Sequence, residues 1–311
     1  MHYKRIYDII MLRGRWGIMN DYSKIIPLRE QTLANDFVFS AVMREGDVCK
    51  LFLEELLGFS IAELQFIEAQ KVIDDAYDSH GIRLDILAKD TDGNAYNIEM
   101  QKTKDPALAK RARYYQSAID RHMLAEGTPY EQLPRCIVIF ICMFDLFGAG
   151  HAVYRVHSRI EGLPDYPYDD GRTTYFLNTR YRTANTDDAV LEFLDCVNGN
   201  EQDHDSSLAR MTVDTLMKVR YDKEQEEMYM TLSMKLQDSY NEGLAAGHAA
   251  GHAEGHAAGK VQGRIKERLD TIHMLMQNGM SIAQIAGMYQ MTEQQLLVFL
   301  EEHETQKETE S

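Results

Sequence analysis

RLDILAKDTDGNAYNIEMQ, residues 83–101, is the stretch that decides how the chain is read. Apolar residues alternate through Leu84 and Ile86, with Leu87 out of step, and resume after Asp92-Gly93 as Tyr96, Ile98 and Met100. Alternation at period two on either side of an Asp-Gly pair predicts a half-buried β-hairpin. Two loops fit. A two-residue Asp92-Gly93 loop pairs Asp85 with Met100 and sends Glu99 to the opposite face. A three-residue Thr91-Asp92-Gly93 loop, with Gly93 left-handed, sets Asp85 directly opposite Glu99. Cross-strand neighbours on one face have Cβ atoms about 4.5–5.5 Å apart, close enough for two carboxylates to share a divalent cation. Gln101, two residues beyond Glu99, lies on the same face.

Working outward, residues 64–73 (LQFIEAQKVI) read as a first strand, ahead of hairpin strands at 82–88 and 94–101. Upstream, apolar residues recur at helical spacing from Asp36 to Leu57, with a break near Gly46 and Gly58 placed as a C-cap. Downstream, Pro106 opens a helix running from Ala107 to about Glu126, ended by Gly127, with Tyr115, Ile119, Met123 and Leu124 as its apolar stripe. The run from Cys136 to Phe144 is nearly all apolar, as expected for a central strand covered on both faces. VYRV (153–156) and TYFL (174–177) are strand-like, and a helix from Asp187 to Val197 closes the domain. The pattern is α/β.

Beyond residue 200 the chain becomes charged and helical, then enters a four-residue repeat with glycine at 243, 247, 251, 255, 259 and 263. Each glycine costs a helix about 1 kcal/mol relative to alanine. Two readings stay open: a flexible spacer, or a helix packed against a copy of itself through its small residues. His248, His252 and His256 arise from the repeat itself and come with no third ligand type, so a metal site is not inferred. In the last fifty residues Ser281 and Thr292 each precede a Gln by three positions, the capping-box pattern. The spacing resembles a helix-turn-helix. Its final helix, however, carries Glu293, Glu301 and Glu302, the wrong charge for a phosphate-facing element; an interaction or oligomerisation role is expected instead. The expected organisation is a lead-in (1–29), an α/β domain (30–200), a charged connector (201–242), the glycine repeat (243–263) and a helical segment with an acidic tail (264–311). Met1 and Met19 are both candidate starts.

Composition sets bounds. Over 311 residues, 44% hydrophobic content supports a sizeable core. Four scattered cysteines form no paired spacing, which points to reduced thiols of a cytoplasmic protein. No apolar run reaches membrane-spanning length, and the N-terminus lacks the pattern of a signal peptide. The net charge of −16 opposes nucleic-acid binding unless it is unevenly spread. It is uneven: Lys102, Lys104, Lys110, Arg111, Arg113 and Arg121 face only Asp105 and Asp120 over residues 101–121. Nothing in the sequence supports a Ser/His/Asp triad, a phosphate-cradling glycine loop or a dinucleotide fingerprint.

Taken together, the D-(x)13-E-x-Q pattern of Asp85, Glu99 and Gln101, with NDFVFSAVM (35–43), CKLFLEELLG (49–58), RARYYQSAID (111–120), VIFICMFDLFG (138–148) and FLNT (176–179), resembles the PD-(D/E)XK nuclease superfamily. More narrowly, it resembles the Rpn family of recombination-promoting nucleases, PD-(D/E)XK transposase-like proteins. The resemblance implies a restriction-endonuclease-like core of helix, three-strand meander, helix and strand, followed by an α-helical C-terminal region. It further implies a metal-dependent DNA endonuclease acting in recombination or mobile-element movement. Asp85 and Glu99 would bind Mg²⁺, or Mn²⁺, with the backbone carbonyl of Met100; Glu54 of the first helical region is a further candidate ligand. Gln101 stands where the superfamily usually has Lys. Arg111, Arg113, Lys102 and Lys104 are candidates for DNA contact, although strand parity turns Lys102 to the other face. A homo-oligomer through the C-terminal helices is expected, and no membrane partner. The alternative is a catalytically weak or inactive nuclease fold serving as an oligomeric binding module.

Overall fold

The loop between residues 90 and 94 settles the hairpin register. In the computed structural model, which describes residues 22, 25–73, 82–163 and 165–308, the Asp90 N–H donates to Asn94 O and the Gly93 N–H to Asp90 O, both at 3.1 Å. Thr91-Asp92-Gly93 is therefore a three-residue loop, and Gly93 takes φ +89°, a conformation costly for any residue with a Cβ. Asp90 fixes the loop from within. Its carboxylate accepts from the backbone N–H of Asp92 and Asn94, the Asn94 amide and the Tyr96 hydroxyl, at 2.7–3.0 Å. The resulting register pairs Ile86 with Ile98, Leu87 with Asn97 and Ala88 with Tyr96; continuing it sets Asp85 opposite Glu99.

The residues form two compact units, Tyr22–Met234 and a second whose described part is 235–308. A six-stranded sheet organises the first, with spatial order β1-β2-β3-β4-β6-β5. The strands are β1 (Leu64–Ile73), β2 (Ile82–Asp90), β3 (Ala95–Gln101), β4 (Cys136–Cys142), β5 (Val153–Val156) and β6 (Arg172–Asn178). β1, β2 and β3 form an antiparallel meander, β3, β4 and β6 run parallel, and β5 is antiparallel to β6. Helices α1 (Asp36–Met43), α2 (Gly46–Leu57), α4 (Asp188–Val197) and α5 (Ser207–Tyr221) pack one core with Ile86, Tyr96, Ile98, Ile139 and Leu177. Helix α3 (Leu108–Met123) packs a second core with Leu87, Val138, Phe140 and Phe176 on the other face. This is the α/β core expected from the sequence, helix, meander, helix and strand, with a helical C-terminal region.

The structure differs from expectation in three places. β3 is not half-buried: paired with β2 on one side and β4 on the other, and sandwiched between helices, it is buried from Ala95 to Met100. Alternation within β3 therefore separates two cores, not core from solvent. Residues 201–234 are also more than a connector. Leu208, Ala209, Leu216 and Val219 of α5 are buried in the first core, and Tyr229 packs edge-on against Phe37 at 5.5 Å. At the other end, Leu28 is fully buried, so part of the lead-in also belongs to the core. Both candidate start positions lie outside the described residues.

Helix α6 (Lys223–Gln277) runs unbroken through the glycine repeat. A β-carbon on any of Gly243 through Gly263 of the repeat would meet nothing within 4 Å. In the second unit the last turns of α6 pack Leu269 and Ile272 against Ile285 and Ala286 of α7 (Ile282–Met288) and Leu296 and Leu300 of α8 (Glu293–Glu308). Both capping boxes form. Ser281 and Gln284 exchange bonds, as do Thr292 and Gln295. The Arg268 guanidinium lies 4.5 Å from the Tyr289 ring centre and 5.0 Å from that of Phe299. No helix of the described residues is long and apolar enough to cross a membrane.

Candidate active site

Where the β2–β3 ladder ends, at Ile86–Ile98, two carboxylates take over its hydrogen bonds. The Asp85 N–H donates to Glu99 Oε1 at 3.1 Å, and the Met100 N–H donates to Asp85 Oδ2 at 2.9 Å. Each acid is thus held by backbone belonging to, or adjoining, the other. Neither depends on a flexible tether. The Gln101 carbonyl accepts from Met143 of the segment after β4, so by alternation Met100 turns its backbone groups toward β2, the side on which Asp85 lies.

Glu99 is buried to 2% exposure on the face covered by α3. Burial, and then the repulsion of Asp85, push its carboxyl up to about 8. Burial likewise raises Asp85, with the Met100 N–H opposing it and the negative charge of Asp36 adding to it. A pair that resists double ionisation in this way is stabilised by a positive charge placed between its oxygens.

Arg111, on the first turn of α3, reaches this pair. Its Nη1 donates to Gln101 Oε1 at 3.1 Å and lies 3.4 Å from Asp105 Oδ2; its Nη2 donates to the Tyr115 hydroxyl at 2.8 Å. The Tyr115 ring stacks on Phe140 at 6.2 Å, which fixes the far end of this chain of contacts. Arg111 is close enough to both acids to act on their ionisation.

The other sequence candidates are placed apart. Lys102 turns to the opposite face, as its parity required, and pairs with Asp36 at 2.9 Å. Lys104 is exposed, its ammonium 3.5 Å from the Asp145 carbonyl. Arg113 is exposed, two residues and about 200° around the helix from Arg111. Glu54 does not join the pair: its carboxylate accepts the Ile61 N–H at 2.7 Å and lies 4.0 Å from Lys50, tying the end of α2 to the segment that enters β1.

Three residues escaped the sequence reading. Asp36, whose charge is felt by Asp85, looks in sequence like an ordinary acidic residue in a helix's first turn. Tyr115 reads as part of an apolar stripe, and only its hydroxyl partner gives it a place here. Asn97 is fully buried on the Glu99 face, and its amide favours the ionised form of Glu99. Its polarity is a signal, but only once β3 is known to be central.

Residues 33–161 match the family model of the PD-(D/E)XK nuclease family transposase. This segment is similar to that family. The matched span begins just before α1 and holds Asp85, Glu99, Gln101 and Arg111, so the carboxylate pair lies within the matched segment. No curated protein and no solved structure matches the chain.

A divalent cation fits this site in chemistry. Two backbone-locked carboxylates, both raised by burial, are the hard oxygen donors such an ion takes. They supply two ligands only. Among the described residues no group of three or more His, Cys, Asp or Glu is placed to hold a metal, so water and a substrate oxygen would complete the shell.

A second constellation lies between α4 and the segment after it. Cys196 Sγ lies 3.3 Å from His204 Nε2, with Glu192 3.9 Å from the other ring nitrogen. This is not a nucleophile: burial pushes the thiol up to about 12, and His204 Nε2 also lies 2.9 Å from the Asn200 carbonyl.

Proposed function

We propose that the chain is a metal-dependent DNA endonuclease of the recombination-promoting type. The observation that carries this reading is the Asp85–Glu99 pair, locked by the Asp85 and Met100 N–H groups with Arg111 alongside. Hydrolysis places a water oxygen on phosphorus and breaks one P–O ester bond. One water proton goes to the leaving oxygen; the other stays on the new phosphomonoester or passes to solvent. Mg²⁺ or Mn²⁺ bound by the pair would neutralise phosphoryl charge and activate the water. Asp85 and Glu99 hold their carboxylates at fixed separation, so no reorganisation is needed as charge develops. Gln101 gives its Oε1 to Arg111 and so keeps its NH₂ for a water or phosphate oxygen; an amide orients but takes no proton. Lys104 and Arg113, both exposed, support contact with the DNA backbone, and Lys102 contributes less because Asp36 engages it.

Self-association through the C-terminal helices completes the reading. Leu236, Tyr240 and Leu244 are 50–66% exposed along α6, at a spacing that aligns them on one face. Four free, buried cysteines support a reducing, cytoplasmic setting.

The test is incubation of supercoiled plasmid with the full chain, with and without Mg²⁺ or Mn²⁺, beside Asp85→Ala. Nicking or linearisation that requires both metal and Asp85 is expected. No cleavage by a folded wild type with either metal would leave the oligomeric binding module as the better reading.

A further inference from the structure

We propose that Arg111 is the catalytic cation of this site, giving a non-bridging oxygen of the scissile phosphate the positive charge that β3 does not bring itself. The inference rests on the nuclease reading and goes beyond it by separating Arg111 from the other basic residues of the segment.

Strand β3 delivers two acids and an amide to the α3 face: Glu99, its cross-strand partner Asp85, and Gln101. A phosphodiester approaching two carboxylates is repelled by them, and a cation shared by the pair offsets only part of that charge. Parity excludes Lys102, which is engaged with Asp36 across the sheet. Lys104 extends to the Asp145 carbonyl. Lys110 and Arg113 are exposed on α3, on either side of Arg111. Among these, Arg111 alone is bonded to a residue of the motif strand.

Its setting is that of a positioned group, not of a solvated helix charge. Three side chains hold the guanidinium: Gln101 Oε1 at 3.1 Å, Asp105 Oδ2 at 3.4 Å and Tyr115 Oη at 2.8 Å. Tyr115 is itself held by stacking on buried Phe140. Among the described residues the one carboxylate paired with it, Asp105, is 3.4 Å away, and both side chains are 35% exposed. The charge is therefore neither quenched by a close ion pair nor sealed from a ligand. Arginine presents five N–H donors in a planar fork, and three bonds leave donors for a phosphate oxygen. Gln101 aims that fork: its carbonyl points to Arg111, an arrangement that a lysine ammonium at the same position would repel. Gln101 and Arg111 thus form one unit that does the work of a single cationic side chain on the strand.

The experiment compares full-length wild type, Arg111→Ala, Arg111→Lys, Arg113→Ala and the double variant Gln101→Lys/Arg111→Ala. Single-turnover plasmid cleavage with Mn²⁺ is measured beside duplex binding by fluorescence anisotropy in EDTA and Mn²⁺ binding by calorimetry. In Arg111→Ala the cleavage constant is expected to fall by about 100-fold or more, the scale of losing one preorganised donor, with duplex binding changed by less than about threefold. Arg111→Lys keeps the charge but loses the fork, and its cleavage constant should fall between those of wild type and Arg111→Ala. Mn²⁺ binds more tightly to Arg111→Ala, because the neighbouring positive charge is gone. The double variant restores at least about tenfold of the lost rate, since the side chain it introduces on β3 lies on the Glu99 face, and it weakens Mn²⁺ binding again. Arg113→Ala shows the reverse pattern, weaker duplex binding with a smaller loss of cleavage than Arg111→Ala. Three results overturn the proposal: cleavage by Arg111→Ala within about threefold of wild type, Mn²⁺ affinity indifferent to Arg111, or no rescue in the double variant. An inactive wild type overturns the nuclease reading as well. An active wild type with an indifferent Arg111→Ala overturns this proposal alone.

Discussion

At the scale of single residues, the most informative groups are those the fold makes uncomfortable. Glu99 is an acid whose folded pKa lies above its ordinary value of 4.5, at about 8, because burial and Asp85 disfavour its charge. A group raised in this way contributes stability that is fully present below the unfolded pKa and lost as pH rises through the folded one. The metal-free protein should therefore lose stability between about pH 4.5 and pH 8. Glu99→Gln keeps an oxygen to accept the Asp85 N–H yet cannot ionise. Its melting temperature should exceed that of wild type by several degrees at about pH 8.5 and converge with it near pH 5, when followed by circular dichroism in EDTA. Curves that stay parallel would show that Glu99 is not strained. Asp90 makes the opposite case. It is buried, but four donors satisfy it, so Asp90→Ala strands those donors. It should cost about 2–4 kcal/mol in urea unfolding, with cleavage falling because the register that faces Asp85 with Glu99 depends on this loop.

Individual elements differ in how much of them could be read ahead of the structure. The bounds of β1 and β5, the apolar strand β4 and both capping boxes follow from local pattern, because propensity, periodicity and caps act within a few residues of themselves. The hairpin register was open between two loops; the carboxylate of Asp90, not the Asp92-Gly93 pair alone, decides it. Gly93→Ala, forced to adopt φ +89°, should destabilise by about 1–2 kcal/mol in the same assay. What could not be read was non-local. Nothing in YNIEMQ says that β4 lies parallel to it, so the burial of Asn97 and Glu99 is invisible in sequence. Equally, Asp36 and Tyr115 sit near Asp85 and Arg111 only because α1 and α3 dock where they do. Helix α6 is the reverse case: local propensity argues against it, yet it is continuous through six glycines. Gly251→Ala together with Gly255→Ala fills open space and should favour the helix by about 2 kcal/mol. If copies pack through the small residues, sedimentation should show a weaker association constant for the same variant, because the added methyl groups hold the backbones apart.

For the molecule as a whole, the charge balance opposes any phosphate ligand at the carboxylate pair unless positive charge offsets it. With a net charge of −16 the chain repels phosphate at long range, and the basic stretch around α3 offers only local relief. A divalent ion on Asp85 and Glu99 removes the sharpest part of that repulsion and also relieves the strain that the pair imposes on the fold. Binding to the folded state alone stabilises it by mass action, about 2.7 kcal/mol when the ion is at about 100 times its dissociation constant. For a domain of this size that is a rise in melting temperature of roughly 5–10 °C. The rise must depend on pH in a definite sense. Protons compete with the ion for Glu99, so the Mn²⁺-induced shift should be small near pH 5.5 and grow as pH rises toward about 8, while the metal-free protein grows less stable over the same interval. Asp85→Asn should abolish the shift at every pH without lowering the metal-free melting temperature, since it removes the repulsion together with the ligand. A shift that is independent of pH, or that survives in Asp85→Asn, would place the ion elsewhere. The carboxylate pair would then be a strained feature of the core, not the centre on which the chemistry depends.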